Sequence, residues 1–186
     1  TVAAHCVQLS DEDIDILAER GVYAATNPIS NAKLGNGFAR IPDMLDKGVK
    51  LCIGTDSAGS NNTLNMFSDM NFICLAHKGK RRSATAVSAR QALKMATETG
   101  AKALGFDNTG TLKEGYAADL TVMDMKYPSL QPVNDSVAAM CYSASGYEVE
   151  SVMVDGEFLM ENREIKGMDE ERIYFECNKA MKRIDG

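Results

Sequence analysis

Val49-Lys50-Leu51-Cys52-Ile53-Gly54-Thr55-Asp56-Ser57-Ala58-Gly59-Ser60-Asn61-Asn62 is the stretch on which the fold turns. Its first five residues are a short apolar run of the kind that forms a buried strand. Gly54 is expected to let the backbone turn, which leaves Asp56 just past the strand's C-terminal end. In parallel α/β folds, ligands and catalytic groups gather at that end of the strands. A carboxylate there can ligate a metal, orient water or take a proton. The same pattern also suits a helix cap or a turn, so Asp56 gains functional weight only from a matching residue elsewhere.

Working towards the N-terminus, Thr1-Val2-Ala3-Ala4 is a second apolar run, and it ends at His5. Ser10 is a good helix cap, followed by Asp11, Glu12 and Asp13 in the first turn. Ile14, Leu17 and Ala18 give that helix an apolar face, and Gly21 stops it. Val22-Tyr23-Ala24-Ala25 is the next strand, and Thr26 to Asn31 is expected to be a polar loop. Pro42 can start another helix, closed by Gly48. Strand, helix, strand, helix, strand with short connections is the pattern of a parallel sheet. Its three strand ends gather His5, the Asn27–Asn31 segment and the Asp56–Asn62 segment on one side.

Towards the C-terminus, residues 63–77 are expected to be helical, with His77 at the helix end as a surface residue or charge complement. The basic run Lys78-Gly79-Lys80-Arg81-Arg82 is expected to be a solvated loop. Residues 85–104 are Ala-rich and helical, and Gly100 is a possible break. After Gly105 the character changes. Residues 118–124, 137–142, 149–154 and 157–160 are expected to be strands of a small antiparallel unit, with Asp155-Gly156 as a hairpin turn. Residues 169–183 are expected to form a final amphipathic helix. The expected organisation is a partial barrel over 1–105, a β-sandwich portion over 106–165 and a helix over 166–186.

Composition excludes several classes. A net charge of −6 and a single basic run argue against a nucleic-acid surface. No apolar run approaches the roughly 20 residues of a membrane span. No signal peptide is visible, and the absence of an initial Met hints at a start that is not the natural one. Five widely spaced cysteines without a CxxC pair are expected to be reduced thiols in a reducing, cytoplasmic compartment. No GxGxxG or GxxxxGK[ST] phosphate loop is present, which disfavours a cofactor-binding α/β domain.

Three β/α units do not close a barrel, which takes about 250 residues. The chain is therefore expected to be the C-terminal part of a larger enzyme. A catalytic zinc site usually takes three protein ligands, and His5 with Asp56 supplies at most two.

At this point three segments become specific. Ala4-His5-Cys6-Val7-Gln8-Leu9-Ser10, Asn27-Pro28-Ile29-Ser30-Asn31-Ala32-Lys33-Leu34-Gly35 and the Gly54–Phe67 stretch resemble the last three strand-end motifs of the amidohydrolase superfamily. The resemblance is strongest to its branch of 5-methylthioadenosine/S-adenosylhomocysteine deaminases and triazine chlorohydrolases. Gly110 to Leu120 resembles the family's entry into its small β-sandwich, and Val154-Asp155-Gly156 its exit. The resemblance implies an α/β fold, the last three units of a TIM-type hydrolase barrel. It implies that Asp56 is a metal ligand that takes a proton from water. It implies that His5 contacts that water or the leaving group and approaches the metal. Ser60, Asn61 and Asn62 would contact the substrate or brace the Asp56 loop. One divalent metal is implied, zinc first and iron as the alternative, with further ligands outside this chain.

Two departures stand out. Thr26 occupies a position where many relatives carry His. The family's first-strand His-x-His pair, fifth-strand His and catalytic Glu are absent from these residues, so the isolated chain is expected to be inactive and to hold no catalytic metal tightly. The expected reaction is hydrolytic deamination of a purine nucleoside-type or related heterocycle. A triazine chlorohydrolase and a non-catalytic assembly module are the alternatives. Expected partners are a small heterocyclic substrate, the missing N-terminal barrel half and further copies of the chain, with neither nucleic acid nor membrane.

Overall fold

The computed structural model describes residues 1–184. Its first half alternates strand and helix: β1 (Val2–Ala4), α1 (Asp11–Glu19), β2 (Tyr23–Thr26), α2 (Pro28–Lys33), α3 (Ile41–Asp46) and β3 (Lys50–Ile53). The strands form a parallel sheet in the order β1-β2-β3. Ala3 pairs with Ala24, and Ala25 with Cys52. Local chemistry sets the helices between them. Ser10 Oγ accepts from the Asp13 amide at 3.1 Å while the Asp13 carboxylate accepts from the Ser10 amide at 2.8 Å, a capping box that starts α1. Gly21, at φ +61°, takes the left-handed turn that returns the chain to β2.

Helices α4 (Ala58–Asn61), α5 (Met66–Arg81), α6 (Ala89–Ala96) and α7 (Glu98–Ala103) follow. Ile14, Met44, Ile73 and Val87 are fully buried and share one core with Ala24, Leu51 and Ile53 of the sheet. Each such aliphatic side chain contributes about 1.5–3 kcal/mol by leaving water. The last third holds an antiparallel sheet of β4 (Leu120–Met123), β5 (Val149–Val154), β6 (Glu157–Glu161) and β7 (Glu164–Ile165). α8 (Ser136–Tyr142) lies between β4 and β5, and α9 (Glu170–Ile184) closes the described chain with no buried residue. Asp155 and Gly156 at φ +50° and +84° form the expected turn between β5 and β6, which needs positive φ at both positions.

Several expectations are corrected. Residues 137–142 form helix α8, not a strand. Asp135 accepts from the Val137 and Ala138 amides at 2.8 and 3.0 Å, and that cap decides a short apolar run that suits either structure. The expected loop after β2 is helix α2, with Pro28 in its first turn. The basic run 78–82 is largely the last turn of α5, where its cations complement the helix dipole. The helix over 85–104 breaks at Thr97 (φ −122°, ψ −93°), while Gly100 sits inside α7. His77 is buried, 3% exposed, edge-on to Phe38. Burial, then Lys80 and Arg81, lower its pKa to about 4, so it is neutral and complements no dipole. Four cysteines are buried, and Cys177 is exposed. Cys74 and Cys141 bring their sulfurs to 3.6 Å where α5 meets α8. Among the described residues no helix is long and apolar enough to cross a membrane.

Candidate active site

The ladder of the parallel sheet runs one residue past its strands. The His5 amide donates to Ala25 O at 2.7 Å, and the Gly54 amide to Thr26 O at 2.9 Å. These bonds hold both chain exits at the same edge. The backbone then turns sharply in each: His5 and Cys6 take φ +64° and +52°, and Asp56 takes +62°. A left-handed conformation costs a non-glycine residue on the order of 1–3 kcal/mol. Both residues singled out for chemistry are among those that carry this strain. Asp56 itself makes the turn assigned above to Gly54. Gly54 has a different reason to lack a side chain, since a Cβ there would come within 3.0 Å of the Asn27 amide. In the orientation that satisfies both its ends, that amide donates to Ala25 O at 3.1 Å and accepts from the Asp56 N–H at 3.0 Å.

Between the two exits stands the first part of α2. Ser30 and Asn31 are buried, at 0% and 1% exposure. Ser30 Oγ donates to Asp56 Oδ2 at 2.6 Å. Asn31 Oδ1 lies 2.9 Å from His5 Nδ1. Two consecutive residues therefore hold the two candidate groups, one from each side. An amide oxygen only accepts, so His5 Nδ1 carries the proton in this contact. The neutral ring then keeps its lone pair on Nε2. Asp56 Oδ1 accepts from the Ser57 amide at 2.8 Å. The Ser30 hydroxyl, then the Ser57 N–H, hold the Asp56 carboxyl below the usual carboxylate range. Asp56 is thus an oriented, ionised carboxylate.

His5, Val7, Gln8, Asn31 and Asn36 line an open cavity of about 530 Å³. Asn31 Nδ2 is buried without a hydrogen-bond partner. A second depression, about 470 Å³, lies at the opposite strand ends beside Tyr23 and Lys50 and includes neither His5 nor Asp56. The imidazole nitrogen of His5 and the carboxylate of Asp56 are donors that suit zinc. Among the described residues no group of three or more His, Cys, Asp or Glu side chains is placed to hold a metal ion. The pair fits such an ion in kind and falls short of a full set.

The remaining singled-out residues lie on α4 and its cap. Ser60 bonds to Ser57 at 3.1 Å. Asn62, exposed and left-handed at φ +74°, accepts from Lys33. Asn61 is 5% exposed and turns inward, donating to Thr55 O at 2.7 Å and to Asp69 Oδ2 at 3.1 Å. The expectations above assigned no separate role to Ser30, Asn31 or Asp69. For the first two a signal existed. Asn27-Pro28 straight after a strand marks a helix start, and that places Ser30 and Asn31 in a first turn at the strand's C-terminal end.

Comparison with known proteins identifies the family. The pattern of the amidohydrolase family matches residues 1–159. The chain belongs to that family. It is 48% identical over 184 residues to a 5-methylthioadenosine/S-adenosylhomocysteine deaminase of Acetivibrio thermocellus, covering 98% of this chain and 43% of that protein. It is 45% identical over 183 residues to a 5'-deoxyadenosine deaminase of Methanosarcina mazei, covering 98% of this chain and 42% of that protein. Among solved structures, a zinc-bound adenosine deaminase of Xanthomonas campestris superposes with a TM-score of 0.96 at 34% identity, over 99% of this chain and 42% of that one. A zinc-complexed atrazine chlorohydrolase of Arthrobacter aurescens gives 0.90 at 30%, over 96% and 40%. The chain thus spans about two fifths of the length of the relatives it matches.

Proposed function

We propose that this chain is the C-terminal part of a metal-dependent aminohydrolase acting on a purine nucleoside-type substrate of the 5-methylthioadenosine/S-adenosylhomocysteine kind. The observation that carries this reading is the pairing just described: adjacent Ser30 and Asn31 hold Asp56 and His5 at one edge of the sheet. On this reading residues 1–105 are the last three units of a TIM-type barrel. Residues 106–165 belong to a small β-sandwich, and the described part of the segment after it holds the terminal helix α9. β1 and β3 are the outer strands of the sheet, and the missing N-terminal barrel half would pair with both. The protein would be cytoplasmic and self-associating.

His5 and Asp56 would hold the metal, zinc first and iron as the alternative, together with ligands from the rest of the longer protein. When bound, the metal would acidify water and supply the nucleophile at neutral pH. Asp56, already ionised and fixed by two hydrogen bonds, takes the proton that water releases. His5, fixed at Nδ1 by Asn31, presents Nε2 to the reacting centre. The new C–O bond forms at the amino-bearing ring carbon, the C–N bond breaks, and the proton leaves on ammonia. Ser60 and Asn62 would shape the pocket rim, and Asn61 would act from behind the loop.

The likeness to a chlorohydrolase favours one second reading, the same attack with chloride as the leaving group. The test is a substrate panel on the full-length, zinc-loaded protein. Ammonia release from 5-methylthioadenosine, S-adenosylhomocysteine and 5'-deoxyadenosine, with no chloride release from atrazine, is the expected result. The reverse pattern would establish the chlorohydrolase. Inactivity on all four, with no bound metal, would leave a non-catalytic module.

A further inference from the structure

Asp69 sits in the first turn of α5, 0% exposed. Both its oxygens accept. Oδ1 takes the Ile29 amide at 3.3 Å, and Oδ2 takes Asn61 Nδ2 at 3.1 Å. It belongs to none of the ion pairs among the described residues. Burying a carboxylate without a cation is costly, and an apolar side chain of similar size would fill the space without that cost. The two donors show what the carboxylate does instead. Ile29 immediately precedes Ser30. Asn61 also donates to the carbonyl of Thr55, which immediately precedes Asp56. Ser30 in turn donates to Asp56. The links close into a ring running Asp56, Ser30, Ile29, Asp69, Asn61, Thr55 and back to Asp56.

We propose that Asp69 is a positioning residue that locks helix α2, after β2, to the segment of α4 after β3, and so sets the Ser30–Asp56 hydrogen bond. Its importance for turnover rests on the reading of Asp56 as the working carboxylate. The lock itself does not. An acceptor with two oxygens is needed, because two N–H donors from two separate segments, α2 and α4, converge on one side chain. Asn in its place turns an NH₂ group against one of them.

The test is Asp69→Asn in the full-length, zinc-loaded protein. Hydrogen exchange is followed over residues 27–36, 54–62 and 70–81. Steady-state turnover is measured per folded, zinc-containing molecule. Expected are at least tenfold faster exchange in both loop segments with α5 still protected, kcat lowered about 10–100-fold, and KM changed less than about threefold. Where Asp69→Asn yields no folded protein, Asn61→Ala breaks the same ring one link further on. A brace then lowers kcat, whereas a substrate contact raises KM. Faster exchange in one loop only, or in neither, overturns the lock. Turnover unchanged alongside a lower Tm assigns Asp69 a merely structural role and also overturns the proposal. Should the wild-type protein hydrolyse nothing, the proposed function fails, and the exchange experiment still decides the lock by itself.

Discussion

At the scale of single residues the site is built from pairs. Asn31 engages Nδ1 of His5 at 2.9 Å, and it does so from a fully buried position. Partners of this kind typically contribute 10–100-fold in activity or metal affinity. Asn31→Ala is therefore expected to weaken zinc binding or turnover of the full-length protein within that range, as read by chelator competition and by assay. His77 makes a prediction about pH. Its pKa is depressed to about 4 in the fold against about 6.5 when unfolded. The neutral form is the folded one, so its contribution is fully present above pH 6.5 and is lost as pH falls from 6.5 towards 4. Up to about 3 kcal/mol is involved, at 1.36 kcal/mol per unit. Denaturant titrations at pH 7.5 and pH 5 should show a loss that His77→Leu removes; equal losses in both proteins would contradict it. The placement of Asp56 and His5 at strand ends was legible in sequence, because each follows a short apolar run. The hydrogen bonds that orient them were not. Each joins residues 26 positions apart, and only the sheet brings them together.

At the scale of elements, caps decide what apolar patterning leaves open. Asn65 starts α5 by accepting from the Phe67 and Ser68 amides at 3.0 and 3.3 Å, and it reaches Ser145 O at 2.7 Å. Asn65→Ala is expected to cost about 1 kcal/mol, within a range of roughly 0.5–2, by thermal or denaturant unfolding. Ile73, fully buried on the same helix, should cost about 2–5 kcal/mol when cut to alanine. The alternation of strand and helix, the Ser10 cap and the Asp155-Gly156 hairpin were readable because each is a local signal. The 137–142 segment was misread because six apolar residues suit a strand as well as two turns of helix. Its Asp135 cap was the deciding mark. The burial of His77 could not be read locally, since Phe38, its aromatic neighbour, lies 39 positions earlier and arrives only through the fold.

At the scale of the whole molecule, a three-stranded parallel sheet brings three polar strand ends to one edge, and a four-stranded antiparallel sheet follows it in the chain. The chain belongs to the amidohydrolase family over residues 1–159 and spans about two fifths of the length of the relatives it matches. On the proposed reading His5 and Asp56, each held by a hydrogen bond and at positive φ, would be part of a metal site completed by the rest of the longer protein. The most direct measurement is an anomalous difference map at the zinc edge from crystals of the full-length protein. A peak about 2.0–2.2 Å from an Asp56 carboxylate oxygen, on the His5 side of the sheet edge, is the expected result. A bound zinc away from both residues would contradict the assignment of His5 and Asp56 as the working pair.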